Sequence, residues 1–272
     1  MSVSANDLLL VQKKLKAALR ELKIVLEREE VPFWLDFGTL LGAHRYGDMI
    51  PWDDDIDICT FETQIKIIAK LVDAELSHIF LPTSTVIVSN VPLKLQLREV
   101  LSVETDLVNW GIGEVNHPRA SIDVFSIVTV NKFSLLSNYS LRRLLSYSIM
   151  LKKLNHFPRS SEVHQNFIRR VFLKIAGSLV RFELPFKEKF KVEGTGDRSF
   201  YSINSMFSHY QLHRPKLDKC NRLVVDGEEY SVTDDFLQHL ELLYGNSFMK
   251  PPPIHLRRNH SESISFTRNL KD

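Results

Sequence analysis

The chain has 272 residues, 44% of them apolar and 25% charged, with a formal net charge of +2. That balance suits a globular protein with a sizeable core, and it lacks the basic excess of a general nucleic-acid binder, so no nucleic-acid partner is expected. The two cysteines, Cys59 and Cys220, have no CxxC spacing and suggest neither a zinc site nor a disulfide framework. Leu8–Val11 is a short apolar run closed off by Lys13, Lys14 and Lys16, and no run of 18 apolar residues occurs. The expectation is a cytoplasmic protein with no signal peptide and no spanning helix.

In chain order, Leu8, Val11, Leu15, Leu19, Leu22 and Leu26 recur at helical spacing and predict a helix over 6–29, capped by Ser4 or Asn6. Phe33-Trp34-Leu35 reads as a short strand, broken by Asp36-Phe37-Gly38-Thr39. Leu40 to Tyr46 reads as a short helix opening at the glycine. Asp53 to Thr60 alternates acidic and apolar residues like a strand, and Thr63 to Phe80 reads as a second helix. Residues 84–89, 93–103 and 121–130 read as strands, and 106–120 as a loop. From 135 to 186 helical patterns dominate, and 187–222 is polar and irregular. Asp226-Gly227 marks a hairpin turn within 223–230. Thr233 to Tyr244 reads as a helix closed by Gly245, and the tail after Pro251-Pro252-Pro253 as extended.

The chemistry concentrates in Pro51-Trp52-Asp53-Asp54-Asp55-Ile56-Asp57-Ile58. Carboxylates crowded this closely repel one another and stay ionised only where a cation offsets them. On a strand, Asp55 and Asp57 share a face, the arrangement in which oxygen ligands grip a hard cation such as Mg²⁺. A solvated acidic loop is the plainer alternative, but the interleaved Trp52, Ile56 and Ile58 are more than such a loop needs. Upstream, Gly38-Thr39 lies between a strand and a helix, where a glycine lets backbone amides approach a phosphate. A glycine and small hydroxyl, a loop, then Asp-x-Asp on a strand is the layout of the nucleotidyltransferase superfold. That superfold draws a third carboxylate from a later strand. Asp123, alone among Ile122, Val124 and Phe125, is the candidate; a hydrogen-bonding strand-edge aspartate is the alternative.

These blocks carry a resemblance. Phe37-Gly38-Thr39-Leu40-Leu41-Gly42-Ala43-His44-Arg45 joined to Ile50-Pro51-Trp52-Asp53-Asp54-Asp55-Ile56-Asp57-Ile58 resembles the signature of the LicD family of phosphocholine and ribitol-phosphate transferases. Ile122-Asp123-Val124-Phe125 is similar to the family's later acidic strand. Leu243-Tyr244-Gly245 with Pro251-Pro252 and His260 is similar to its C-terminal motif. Gly47-Asp48-Met49 departs from the family's usual turn, away from the acids. The resemblance implies an α+β, nucleotidyltransferase-like fold: a small mixed sheet flanked by helices, with a helical C-terminal half. One domain is expected over 1–272, with a catalytic core at about 20–130, an acceptor-side region at about 131–222 and a C-terminal hairpin, helix and tail over 223–272.

It also implies a CDP-alcohol donor, CDP-choline foremost, and a glycan or lipid-linked saccharide acceptor such as lipopolysaccharide, teichoic acid or capsule. An acceptor hydroxyl would attack the phosphorus bearing the alcohol, and CMP would leave. Asp55, Asp57 and Asp123 would hold Mg²⁺ or Mn²⁺, or Asp123 would serve as general base. Gly38, Thr39, Asp53, Arg45 and Lys94 are the candidate substrate contacts, while Asp54 would orient the loop. Arg45 could instead pair with the acids, and Lys94 could point outward. Trp34, Trp52 and Trp110 could stack on a choline, or fill the core. His209 and His213 make a weak metal pair. A basic amphipathic helix at 168–182 packs on the core, or touches the inner face of a membrane. The competing functions are a nucleotidyltransferase releasing pyrophosphate and a non-catalytic glycan-binding protein.

Overall fold

The computed structural model describes residues 4–83, 93–104, 119–130, 200–203, 211–212, 217, 221–257 and 261–266. The expected strand at 84–89, the helical region at 135–186 with its basic helix, and Trp110, His209, His213, Cys220 and His260 lie outside them.

Helix α1 (Ala5–Arg28) starts where Ser4 Oγ accepts the Asp7 N–H at 3.1 Å. Its stripe of Leu15, Leu19, Leu22 and Leu26 is fully buried, each contributing about 1.5–3 kcal/mol by leaving water. The stripe packs over strands β3 (Leu93–Glu104), β4 (Arg119–Val130) and β9 (Ser261–Phe266). Strand β1 (Phe33–Leu35) leads into helix α2 (Phe37–Tyr46), and β2 (Ile56–Phe61) into a 3-10 turn and helix α3 (Ile65–Glu75).

The sheet runs β1-β2-β4-β3-β9. Strands β2 and β4 pair in parallel, and the other pairs along this path are antiparallel. Strands β5 (Phe200–Ile203) and β6 (Gln211–Leu212) extend it beside the far end of β4. This is the expected α+β class with a mixed sheet. A separate hairpin, β7 (Arg222–Val225) and β8 (Glu228–Ser231), turns at Asp226-Gly227, both with positive φ, as a two-residue turn with right-handed strand twist requires. Lys16, Arg20 and Lys23 of α1 meet Asp226 and Glu228 across it. Helix α4 (Phe236–Tyr244) follows and ends at Gly245.

Several boundaries differ from the sequence reading. A turn at Pro51-Trp52, closed by Asp53 N–H to Ile50 C=O at 2.9 Å, leads into the acids; Asp53, Asp54 and Asp55 are irregular backbone, and the strand starts only at Ile56. Helix α3 stops at Glu75. Phe80 leaves it, fully buried, to bridge Leu97, while the Asp73 carboxylate accepts from both the N–H and hydroxyl of Thr83. Helix α4 begins three residues late because Asp234 and Asp235 form the turn before it. Strands β5, β6 and β9 occupy stretches read as irregular or merely extended. In β9 only Ile264 and Phe266 pack on the core, too sparse an alternation to announce an edge strand.

Candidate functional site

Three neighbouring strands set the site's floor. In the sheet register Asp57 of β2 lies beside Asp123 of β4, and Asp123 lies beside Lys94 of β3. Asp55 stands in the irregular segment just before β2. Ligand oxygens of Asp55, Asp57 and Asp123 lie within 4.8 Å of one another, and those of Asp53, Asp54 and Asp55 form a second such group. Lys94 Nζ is 2.9 Å from Asp123 Oδ2, and Ser121 Oγ donates to Asp123 Oδ1 at 2.8 Å. One positive charge and one hydroxyl thus offset part of the crowding.

The Asp57 carboxyl is pushed well above the usual range by dense protein surroundings, then by the charges of Asp55, Asp123 and Asp53; the Gly38 N–H pulls weakly the other way. Asp53 is raised for the same reasons, burial first and then its contact with Asp55. Several oxygen-only ligands converging under mutual repulsion suit a hard divalent cation.

Helix α2 lies against this cluster through glycines four positions apart, which share one helix face. A Cβ on Gly38 would sit 2.8 Å from Asp53 Oδ2 and 3.4 Å from Asp57 Oδ2. A Cβ on Gly42 would sit 2.7 Å from both Asp48 C=O and Ile50 N. Both glycines are required by close approach. Gly38 N–H donates to Asp57 Oδ2 at 3.1 Å, so the amide expected to face a phosphate meets a carboxylate. Thr39 is 3% exposed, and its hydroxyl accepts the Asp57 N–H at 2.8 Å. Arg45 belongs to the last turn of α2. It lies about 10 Å along α2 from Gly38, and its Nη2 donates to the Lys250 carbonyl.

Residues that sequence reading missed hold the acidic segment from behind. Gln12, buried in α1, donates to the carbonyls of Ile50 (3.1 Å) and Asp53 (2.7 Å). Asp54, expected to orient the loop, is buried and accepts from Ser261 Oγ of β9. Asp36 caps α2 by accepting the Phe37 N–H at 2.8 Å, and it also meets His239 of α4 and the buried Cys59 thiol. A polar residue on an apolar helix stripe, as at Gln12, was the one available signal. Among the tryptophans, Trp34 is buried edge-on to Phe61, while Trp52, next to the acids, carries the Arg257 guanidinium 4.6 Å over its ring.

With this geometry in place, comparison with known proteins is informative. Residues 30–140 match the family described as LicD/FKTN/FKRP, nucleotidyltransferase domain. The chain is similar to the ribitol 5-phosphate transferase FKRP of Mus musculus and to that of Homo sapiens, at 40% identity over 63 residues in each case. Those residues are 23% of this chain and 13% of each relative's length. A stretch of 34 residues is 47% identical to an uncharacterised protein of Rickettsia prowazekii, 12% of this chain and 13% of that one.

Proposed function

We propose, for a chain that belongs over residues 30–140 to the LicD/FKTN/FKRP family, that it transfers an alcohol phosphate from a CDP-activated donor to a glycan hydroxyl and releases CMP. The observation that carries this reading is the convergence of Asp55, Asp57 and Asp123, whose mutual repulsion helps push the Asp57 carboxyl above its ordinary range. Asp55, Asp57 and Asp123 would hold Mg²⁺ or Mn²⁺. Bound there, such a cation would neutralise the donor diphosphate and the leaving CMP.

The chain's own residues do the rest. Asp57 is fixed through its backbone and one carboxylate oxygen, so its remaining oxygen has a set direction. Gly38 leaves the approach to Asp53 and Asp57 clear of side-chain atoms. Asp123, steadied by Ser121 and Lys94, either completes the cation's ligands or accepts the proton of the attacking hydroxyl. Lys94, at the rim of the acids, exchanges part of its contact with Asp123 for a donor phosphate oxygen. The transferred group is a small alcohol phosphate. The name of the two mammalian relatives favours a polyol phosphate such as ribitol phosphate, and phosphocholine comes second. A surface glycan or lipid-linked saccharide is the acceptor, reached at the cytoplasmic face of a membrane. Among the described residues no helix is long and apolar enough to cross one.

The test is CMP release from CDP-ribitol and CDP-choline, with and without Mg²⁺ and candidate glycans, in wild type and Asp57→Ala. Cation-dependent CMP that vanishes in the variant is the expected result. Pyrophosphate from nucleoside triphosphates, with no CMP from either donor, would replace this reading with nucleotidyl transfer.

A further inference from the structure

One short turn grips Asp57 at three of its polar groups. Its N–H donates to Thr39 Oγ1, its Oδ2 accepts from Gly38 N–H, and its C=O accepts from Asp36 N–H at 3.2 Å. Whatever orients residues 36–39 therefore orients Asp57. That turn is not relaxed. Phe37 has φ 43°, in the left-handed region that a bulky side chain disfavours. The local bond opposing this strain runs from Phe37 N–H to Asp36 Oδ1.

The same Asp36 oxygen lies 2.6 Å from His239 Nε2. His239 is 203 positions away, on α4, which packs against α2. Both side chains are buried, Asp36 at 1% and His239 at 8% exposure. The other ring nitrogen of His239, Nδ1, is buried and has no hydrogen-bond partner among the described residues. An unsatisfied buried nitrogen is a penalty that a leucine in the same place would avoid. Packing alone therefore does not explain a histidine there, whereas Asp36 does.

We propose that His239 is a positioning residue: it clamps Asp36, Asp36 holds the strained 36–39 turn, and the turn aims the Asp57 carboxylate into the cation site. The inference rests on the reading of Asp55, Asp57 and Asp123 as cation ligands. Its role is indirect, since His239 reaches Asp57 only through Asp36 and the turn.

The experiment measures Mn²⁺ binding by electron paramagnetic resonance on the full chain, together with thermal melting, for wild type, His239→Leu, His239→Gln and Asp36→Asn. Expected is Mn²⁺ binding weakened about 10-fold or more in His239→Leu, the usual size for losing an outer support of a metal ligand, read at a temperature where this variant, destabilised by a buried Asp36 without its partner, is still folded. His239→Gln, whose amide can still donate to Asp36, restores most of the affinity. Asp36→Asn keeps an acceptor for Phe37 but loses the charge that holds His239, so it also weakens binding and covers the case in which His239→Leu does not fold. Wild-type affinity in His239→Leu, or in Asp36→Asn should the former not fold, overturns this proposal alone. So does an affinity loss that merely follows the melting temperature and is not rescued by glutamine. A wild type that binds no Mn²⁺ overturns the cation-site reading and this proposal together.

Discussion

The front and the back of the site are built by different rules. The front is the row Asp57, Asp123 and Lys94, which sheet register sets side by side on adjacent strands, with Asp55 at its edge. The back is a set of single contacts from distant places: Gln12 from α1, Ser261 from β9 and His239 from α4, each holding a backbone or carboxylate of the 36–57 stretch. The front concentrates charge that resists folding, and the back supplies bonds that keep it in place. Variants of the front should therefore remove activity while sparing stability. Variants of the back should lower stability, or blunt the site without touching its ligands.

The largest effect sharpens that contrast. Asp57→Ala is expected to lower CMP release on the order of 10³-fold, the scale of losing charge stabilisation in phosphoryl transfer. In cation-free buffer the same variant should melt no lower than wild type, since it deletes a carboxylate that its neighbours repel. A clear drop in melting temperature would mean that Asp57 is structural and the division fails. Next in size is Gly38→Ala. The new methyl would meet the Asp53 and Asp57 carboxylates at 2.8 and 3.4 Å, flexible side-chain ends that can shift. Activity should fall about 10–100-fold while the fold survives, as for a displaced metal ligand. Gly42→Ala, one helical turn on, collides with backbone at Asp48 and Ile50 instead, so its effect should read in stability, about 1–3 kcal/mol by denaturant titration. Equal loss of stability in the two variants would erase the distinction between the two ends of this glycine pair.

The sequence made the front legible for a physical reason. Acids packed as Asp53-Asp54-Asp55-x-Asp57 are expensive and so stand out, and an acid alone in an apolar strand, as at Asp123, needs a purpose. The short strand Phe33–Leu35, helix α1 and the Asp226-Gly227 hairpin were likewise legible, because local pattern decides them. The back was not. Nothing local distinguishes Asp36 from an ordinary helix cap, Ser261 from a polar tail residue or His239 from a histidine on a helix surface. Their meaning lies in contacts 203 and 207 positions away, which only the folded chain supplies. The acidic run itself was read as strand because its alternation continues into Ile56, yet Gln12 and the Asp53–Ile50 bond hold its start in a turn and irregular backbone. Asp53 faces Gly38 and Asp55 all the same, by the course of this irregular segment rather than by strand alternation.

At the back, Gln12→Leu isolates one brace. The leucine continues the buried stripe of α1 but takes the side-chain donor from the Asp53 carbonyl, while Ile50 C=O keeps only the Asp53 N–H. Stability should fall about 1–3 kcal/mol, with cation affinity weakened by less than in Gly38→Ala. The smallest effect is a pH dependence. Burial draws the His239 pKa down, but the charge and hydrogen bond of Asp36, helped by Asp235, outweigh it and leave the imidazole above its ordinary 6.5. A histidine whose pKa rises on folding adds stability in full below its unfolded pKa, and that increment disappears as pH climbs through the folded value. The melting-temperature gap between wild type and His239→Gln, which cannot titrate, should thus be widest below the ordinary histidine pKa of 6.5 and narrow as pH rises above it. A gap that does not change with pH would mean that His239 holds Asp36 as a neutral hydrogen-bond donor throughout; one that widens with pH would mean that burial outweighs Asp36.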